Sequence, residues 1–599
     1  MIKDKKNQEI VEIEKEISML PEGNITKKKI NDKDYYYHRI IHNGKRTEKY
    51  VSFDKLPDLF DQIEKRKELE RELKDLKKSQ KESYTPSNKI PFKTIVRTKE
   101  ALKDQVSFVK NYKQRECIQS LKDYIYGDIH DKVFILYGLR RTGKTTMIRQ
   151  VISEMKPSEL NKTAFIQVKT NDTLSDVNHD LLLLEKNGYQ YIFIDEVTLL
   201  EDFIENASIF SDIYASSGMK IVLSGTDSLG FAFSKQEQLY DRCILLHTTF
   251  IPYREFENVL GIKGIDEYIR YGGTMSLSGK NYNSDSIFSN TQNTEEYIDT
   301  AIAKNIQHSL KMYEYGGHFR KLLDLYERNE LTNVINRVIE QINHRFTRDV
   351  IESTFKSHDL SITANNLLKD RMNPIDIKEH MNLEKVTNGI MEILDILNKE
   401  NQSIEIEDAH LQQIKEYLMI LDLIQEIDLE FLPDVEQKSK ITVITQPGMR
   451  YAQASAIVDN LLLDSKFLEL SPIERKRITE RLLDEIRGRM MEEIVLLETV
   501  QAKHDKKVFK LQFPIGEFDM VIYDQENLTC EIYEIKHSKE KDKNQYRHLI
   551  DQQKCTMVEH RYGEITKKVV IYRGETCIFN DIQYLNVEEY LKSLTQQKA

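Results

Sequence analysis

The sequence predicts an α/β protein. A parallel sheet is expected over residues 95–285, then a helical or winged-helix-like region over 286–440, then a small mixed α/β domain over 441–599. An α+β accessory module over 1–80 and a linker over 81–94 precede them. Three observations predict this. β-Rich apolar runs alternate with helix-compatible stretches between residues 133 and 246, as in right-handed βαβ units. From about 290 to 435 glycines are few and apolar residues recur at helical spacing. Strand-like segments return beyond about 440.

In the N-terminal module, Ile10, Ile13 and Ile17 form a helical stripe that stops at Pro21-Glu22-Gly23. Tyr35–Ile41 and Thr47–Val51 flank Asn43-Gly44, a hairpin signal. Leu59, Ile63, Leu69, Leu73 and Leu76 ride on a charged helix, and Lys81–Pro91 reads as the linker. The aromatic, basic hairpin suits a small folded accessory module, or a surface gripping nucleic acid or a protein. The sheet strands are Val133–Leu136, Ala164–Val168, Tyr191–Ile194, Lys220–Leu223 and Cys243–Leu246. Ile377–Leu397 and Leu411–Ile427 read as helices, with Ile404-Glu405-Ile406-Glu407 as a short strand between them. Phe518–Tyr523 and Glu531–Lys536 read as adjacent strands joined by a turn at Asp524–Asn527.

Composition narrows the class. With 599 residues, 40% apolar and 31% charged, the chain has material for roughly three to five packed domains. No apolar run is long enough for a membrane helix, and Met1–Lys6 has no apolar signal core, so a cytoplasmic protein without a membrane partner is expected. Five scattered cysteines without a CxxC pair exclude a disulfide frame or a zinc site. A net charge of −11 argues against a globally basic nucleic-acid binder, though not against a local basic groove.

The chemistry begins at Gly138-Leu139-Arg140-Arg141-Thr142-Gly143-Lys144-Thr145-Thr146, which fits G-x-x-x-x-G-K-[ST] after an apolar strand and before a helix. Gly138 and Gly143 let backbone N–H groups face phosphate oxygens. Lys144 adds charge for the β/γ-phosphates, and the Thr145 hydroxyl reaches a Mg²⁺ ion. The expected fold here is a P-loop NTPase with ATP and Mg²⁺ as cofactors. Arg140, Arg141, Thr142 and Thr146 complete the expected cradle. The strand Tyr191–Ile194 ends in Asp195-Glu196, with Asp195 for Mg²⁺ and Glu196 to polarise the attacking water. After the next strand, Thr226 is the first candidate to sense the γ-phosphate and Ser224 the second, with turn chemistry as the alternative. Arg242 reads as an arginine finger, in cis or across a subunit boundary, or as a structural ion pair. Arg140, Arg141 and Arg242 are the positions expected to report the nucleotide state.

These motifs, with Ile251-Pro252-Tyr253-Arg254-Glu255-Phe256, resemble the prokaryotic AAA-type ATPases of the archaeal-ATPase group, close to the STAND-type NTPases, over about residues 95–280. Tyr271-Gly272-Gly273-Thr274 is similar to that group's Gly-Gly-x-Pro turn, with Thr274-Met275 in place of the residue-plus-proline. The resemblance implies a winged helix next and a nuclease-like domain after it.

Asp519, Glu534 and Lys536 match D…E-x-K on two strands. Residues two apart share a face, so Glu534 and Lys536 point towards Asp519 on the paired strand. The two carboxylates suit Mg²⁺ or Mn²⁺, and Lys536 can position or deprotonate a water. Arg487–Glu493 opens an apolar helix upstream, with Glu492 the first candidate for a helix acid and Glu493 the second. This arrangement resembles the PD-(D/E)xK nuclease superfamily over about 480–590, with Gly516–Asp519 where a Pro-Asp pair would stand. By that resemblance, Gln545 sits near the metal. The polar, partly basic His537–His548 reads as a solvated helix start or as a contact to a phosphate backbone. A catalytically inert fold used for binding, or a solvated charged hairpin, remains open.

The expectation is therefore an ATP-hydrolysing AAA-type ATPase controlling a metal-dependent nuclease-like domain on DNA, with DNA favoured over RNA. One alternative is a signalling ATPase whose inert C-terminal domain binds nucleic acid or a protein. Another acts on protein through the N-terminal hairpin. A homo-oligomer, or a protein partner held by the N-terminal module, is left open.

Overall fold

The computed structural model describes residues 91–274 apart from 201–202, 227–230 and 232–238, most of 294–356, 408–434, 438–461 and 471–594, and parts of 17–69. The expected segments 377–397 and 404–407 lie outside the described residues. The chain forms two compact units, Met1–Pro91 and Phe92–Ala599.

In the first unit, β1 (Asn24–Ile30), β2 (Lys33–His42) and β3 (Lys45–Val51) form an antiparallel sheet in that order. His42 pairs with Lys45 across the Asn43-Gly44 position, as the hairpin signal predicts. β1 is an addition to the expected hairpin. Its Asn-Ile-Thr-Lys-Lys-Lys-Ile sequence has little apolar alternation to announce a strand.

The second unit opens where buried Asp180 accepts hydrogen bonds from the Lys93 and Thr94 amides, both 2.8 Å. Its first sheet contains β4 (Ile95–Thr98), β5 (Val133–Tyr137), β6 (Thr163–Gln167), β7 (Tyr191–Asp195), β8 (Lys220–Gly225) and β9 (Cys243–His247). The order is β4-β6-β7-β8-β5-β9, all parallel except β4, which pairs antiparallel with β6. Val133–Leu136 is fully buried, so an uninterrupted apolar run suits this strand covered on both faces. The chain thus carries the predicted α/β parallel sheet, and helix α1 (Lys144–Glu154) follows the carboxyl end of β5, which lies between β8 and β9.

Two short helices follow, α2 (Tyr253–Leu260) and α3 (Ile265–Tyr271). Tyr253, Phe256, Tyr268 and Ile269 are buried in one core with Ile486, Met490 and Val495. Edge-to-face packing of Tyr268 against Tyr253 and Phe256 adds about 1 kcal/mol per pair beyond area burial. Gly273, at φ 105°, closes this segment, and a Cβ there would lie 2.8 Å from the Gln446 Cα.

Helices α4 (Leu331–Lys356) and α5 (Asp408–Ile420) lead to the hairpin of β10 (Ile424–Phe431) and β11 (Lys438–Ile444). The expected helix over 411–427 therefore ends at Ile420, and its Ile424 and Ile427 sit on a strand. Residue 440, the expected domain boundary, lies inside β11. Helix α6 (Pro472–Ala502) precedes β12 (Lys507–Gln512), β13 (Glu517–Asp524) and β14 (Thr529–Lys536). Then come helix α7 (Gln552–Tyr562), β15 (Glu564–Tyr572), β16 (Cys577–Phe579), β17 (Ile582–Asn586) and helix α8 (Val587–Ser593). These strands form one eight-stranded mixed sheet, β11-β10-β12-β13-β14-β15-β17-β16. Hairpin β10–β11 joins it because β10 runs parallel to β12 over Leu429–Phe431. No described helix is long and apolar enough to cross a membrane.

Candidate functional site

The loop after β5 has the backbone the glycines predict. Gly138, Arg141 and Gly143 have φ of 136°, 64° and 93°. A Cβ on Gly138 would lie 2.4 Å from the Thr248 carbonyl oxygen, so only glycine fits there. Lys144 folds back on its own loop, donating to the carbonyls of Gly138 (2.8 Å) and Leu139 (2.7 Å). Burial lowers its pKa to about 8 against the pull of Glu196 and Asp195. The Thr142 hydroxyl donates to the Leu139 carbonyl and meets the Thr248 hydroxyl at 2.9 Å.

The acids at the end of β7 face this loop. The Thr145 hydroxyl donates to Asp195 at 3.0 Å, and Ser224 donates to the other Asp195 oxygen. The Thr226 hydroxyl reaches Glu196 at 3.4 Å. Both sensing candidates thus stand beside an acid, one on each. Burial, then Asp195, pushes the Glu196 carboxyl up, which suits a group that takes a proton from water. Thr145, Asp195, Glu196 and Lys144 are brought together; Arg140 and Arg141 are exposed on the loop and Thr146 is on α1.

Arg242 is not brought there. It precedes β9, next to the start of β5, where its carbonyl accepts from the Val133 amide. Five strand residues, about 16 Å, separate that level from the phosphate loop. Arg242 instead pairs with Asp212 at 2.8 Å on the surface. The cis arginine finger is thereby replaced by the structural ion pair, because the parallel sheet puts strand starts and strand ends on opposite sides.

Three supporting residues escaped the sequence reading. Arg115, 4% exposed, donates to Glu255 (2.5 Å), to the Thr142 carbonyl (2.9 Å) and to the Phe250 carbonyl (3.3 Å). It braces the loop against the Pro252–Phe256 segment. His247 stacks flat on Tyr137 at 4.6 Å, and burial with Lys144 nearby lowers its pKa to about 4. Buried Glu498 of α6 accepts from the Tyr253 amide at 2.7 Å. A lone Arg, His or Glu carries no spacing signal, so only the fold reveals these roles.

The second cluster lies on β13, β14 and α6. The ladder runs to Met520 opposite Tyr533, so Asp519 and Glu534 are the next facing positions. Asp519 accepts from the Ile535 amide (2.7 Å) and from Lys536 (2.9 Å); Lys536 also pairs with Glu534 at 2.6 Å. Burial pushes Asp519 up, but Lys536 and Lys510 outweigh it and hold the carboxyl well below its usual range. Burial and Asp519 push Glu534 up to about 8. Glu534 Oε1 is buried without a hydrogen-bond partner among the described residues. That orphaned acceptor beside a second carboxylate fits a divalent cation held by Asp519 and Glu534.

Glu492 faces this cluster and pairs with Arg489 at 2.8 Å, while Glu493 turns away to Arg450. The first-choice helix acid is the one brought in. It lies well inside α6, which opens at Pro472 and not at Arg487. A cavity of about 740 Å³ is lined by Glu492, Asp519, Glu534, Lys536, Gln545 and Arg547, so Lys536 bridges the carboxylates without closing the space. Gln545 sits in a short 3₁₀ turn before α7, tied to the Glu540 carbonyl at 2.8 Å. His537 pairs with Asp266 of α3 at 3.0 Å, and Arg573 pairs with the same carboxylate.

With this geometry in view, the AAA_14 family model, an AAA domain, matches residues 130–257. That span contains the loop and both acids and identifies an AAA-type ATPase domain. No curated protein matches the chain. Among solved structures, the Aeropyrum pernix ORC1 protein in complex with DNA is 13% identical, with a TM-score of 0.22, covering 61% of this chain and 99% of that one. The S. cerevisiae Hsp104:casein complex is 16% identical, with a TM-score of 0.22, covering 27% of this chain and 31% of that one. C. elegans PCH-2 is 16% identical, with a TM-score of 0.17, covering 27% and 46%. This chain thus spans about a third of the Hsp104 chain, and scores this low do not establish a shared overall architecture.

Proposed function

We infer that this chain is an AAA-type ATPase that hydrolyses ATP and thereby controls a metal-dependent, nuclease-like C-terminal centre acting on DNA. One observation carries the reading. The phosphate loop and the Asp519/Glu534 cluster belong to one compact unit and are joined by short contacts. Thr142 is braced by Arg115, Arg115 by Glu255, Tyr253 by Glu498 of α6, and α6 also bears Glu492. Leu139 of the loop is buried among helical residues that include Ile302, Val338 and Tyr417, so a change at the loop also reaches the helical region. Helix α5 followed by hairpin β10–β11 supports the winged-helix reading of that region.

At the ATP site, Lys144 would exchange loop carbonyls for phosphate oxygens, Thr145 and Asp195 would hold Mg²⁺, and Glu196 would take the proton of the attacking water. At the C-terminal centre, Asp519 and Glu534 would hold the ion, Lys536 would orient the attacking water, and Arg489 and Arg547 would meet phosphates. A bound divalent ion there supplies Lewis-acid stabilisation of a phosphodiester and a more acidic water. The paired contact of Lys536 with both carboxylates favours a second reading, in which the C-terminal domain binds nucleic acid or protein without cutting.

DNA-nicking assays with ATP, ADP and no nucleotide, in Mg²⁺ or Mn²⁺, separate the two. The expected result is nucleotide-dependent cleavage lost in Asp519→Ala and Lys536→Ala. Lys144→Ala is expected to abolish ATP hydrolysis. Persistent hydrolysis in that variant would overturn the ATP site, and no cleavage of any nucleic acid by the wild type would favour the second reading.

A further inference from the structure

The C-terminal centre holds a second set of acids beside the Asp519/Glu534 pair. Glu492, Glu517 and Asp519 each place an oxygen within 4.8 Å of the others, a spacing that suits a divalent ion. Glu517 stands two residues before Asp519, so both point to one face of β13. Lys510 of β12 already stands among these acids. Its ammonium is 2.8 Å from Glu517, 3.7 Å from Glu492 and 3.9 Å from Asp519, and the side chain is 12% exposed.

We propose that Lys510 is a built-in cation filling the place of a second metal, so that this centre takes one divalent ion, held by Asp519 and Glu534. The proposal rests on the metal-dependent reading above. Two observations support it beyond the acids themselves. The only carboxylate oxygen of the four acids that is buried and unpartnered among the described residues belongs to Glu534, outside the Lys510 set. The set around Lys510 is satisfied, with Arg489 also 2.8 Å from Glu492 and 3.4 Å from Glu517. Charge gives the same answer. With all four acids ionised, as metal binding requires, Glu492, Glu517, Asp519 and Glu534 face Lys510, Arg489 and Lys536, which leaves one negative charge uncompensated. One divalent ion and one phosphodiester bring the cluster to neutrality. A second ion would leave two positive charges in a largely buried site, which is costly.

Calorimetric titration of Mn²⁺ into the full-length, nucleotide-free protein tests this, with Asp519→Asn as the background for ions bound elsewhere. The wild type is expected to bind one more ion than Asp519→Asn. Lys510→Met is expected to bind two more, and Lys510→Arg, which keeps the charge, one. A wild-type excess of two, or a folded Lys510→Met that still binds one, overturns the role of Lys510 and leaves the metal site standing. No excess over Asp519→Asn overturns the metal reading itself. Should Lys510→Met not fold, the wild-type count alone decides.

Discussion

Within the proposed ATP site, each side chain would have a separable job. Glu196 stands next to Thr226 and across from Lys144, with its carboxyl pushed up by burial and by Asp195. On the proposed reading Lys144 and Thr145 would make the phosphate and metal contacts, and Glu196 would contribute little to affinity. Glu196→Gln is therefore expected to retain ATP while slowing hydrolysis on the order of 10²–10⁴-fold. Nucleotide binding and steady-state turnover on the same preparation check this, and unchanged turnover would move the proton acceptor elsewhere. The loop and the Asp195-Glu196 tip were legible in the sequence because their spacing and strand context are local. Arg115, His247 and Glu498 were not, since each acts on a residue more than a hundred positions away. The choice between a finger and an ion pair at Arg242 stayed open in the sequence for the same reason, since its place depends on which end of a strand it precedes.

Between elements, the clearest joint ties β14 to α3. His537 directly follows Lys536 and pairs with Asp266, which Arg573 of the segment after β15 also holds. Movement of α3 with the nucleotide loop would thus displace the end of the strand that carries Glu534 and Lys536. Asp266→Asn with His537→Ala is expected to leave ATP turnover within about twofold while the nucleotide effect on the C-terminal centre falls roughly 5–150-fold, the range of such couplings. Comparing cleavage or DNA affinity with ATP and ADP reads this out. A loss of ATP turnover would instead make the joint part of the ATPase. At this scale the sequence was a good guide to β13 and β14, whose alternation is plain, and a poor one to Ile424–Phe431, where Ile424, Ile427 and Phe431 also fall at helical spacing after a helix.

Taken whole, residues 92–599 bury acids where the ATPase and C-terminal parts meet, and this gives the molecule a pH signature. Burial raises Asp422 and Glu498 each to about 7, with their amide donors opposing. A raised acid stabilises the fold below its unfolded pKa and loses that contribution as pH rises through the folded one. The window here is about pH 4–7, and the shifts correspond to roughly 3–4 kcal/mol per group. Glu534 acts in the same sense and His247 in the opposite one, so the difference between wild type and Asp422→Asn/Glu498→Gln is the informative quantity. Thermal melts across that range should show the wild type losing stability relative to the variant as pH rises. Parallel curves would show that neither acid is protonated in the fold.

Helix α6 carries one further consequence. Glu492 and Glu498 are six residues apart on a single helix, one facing the carboxylate cluster and the other accepting from Tyr253. A helix advances 100° per residue, so their relative direction is a matter of phase. Adding or removing one residue between them would swing one glutamate a quarter-turn or more from its partner, even though every side chain were kept. On the proposed reading the interval itself would be a functional element, fixed by the two contacts it joins.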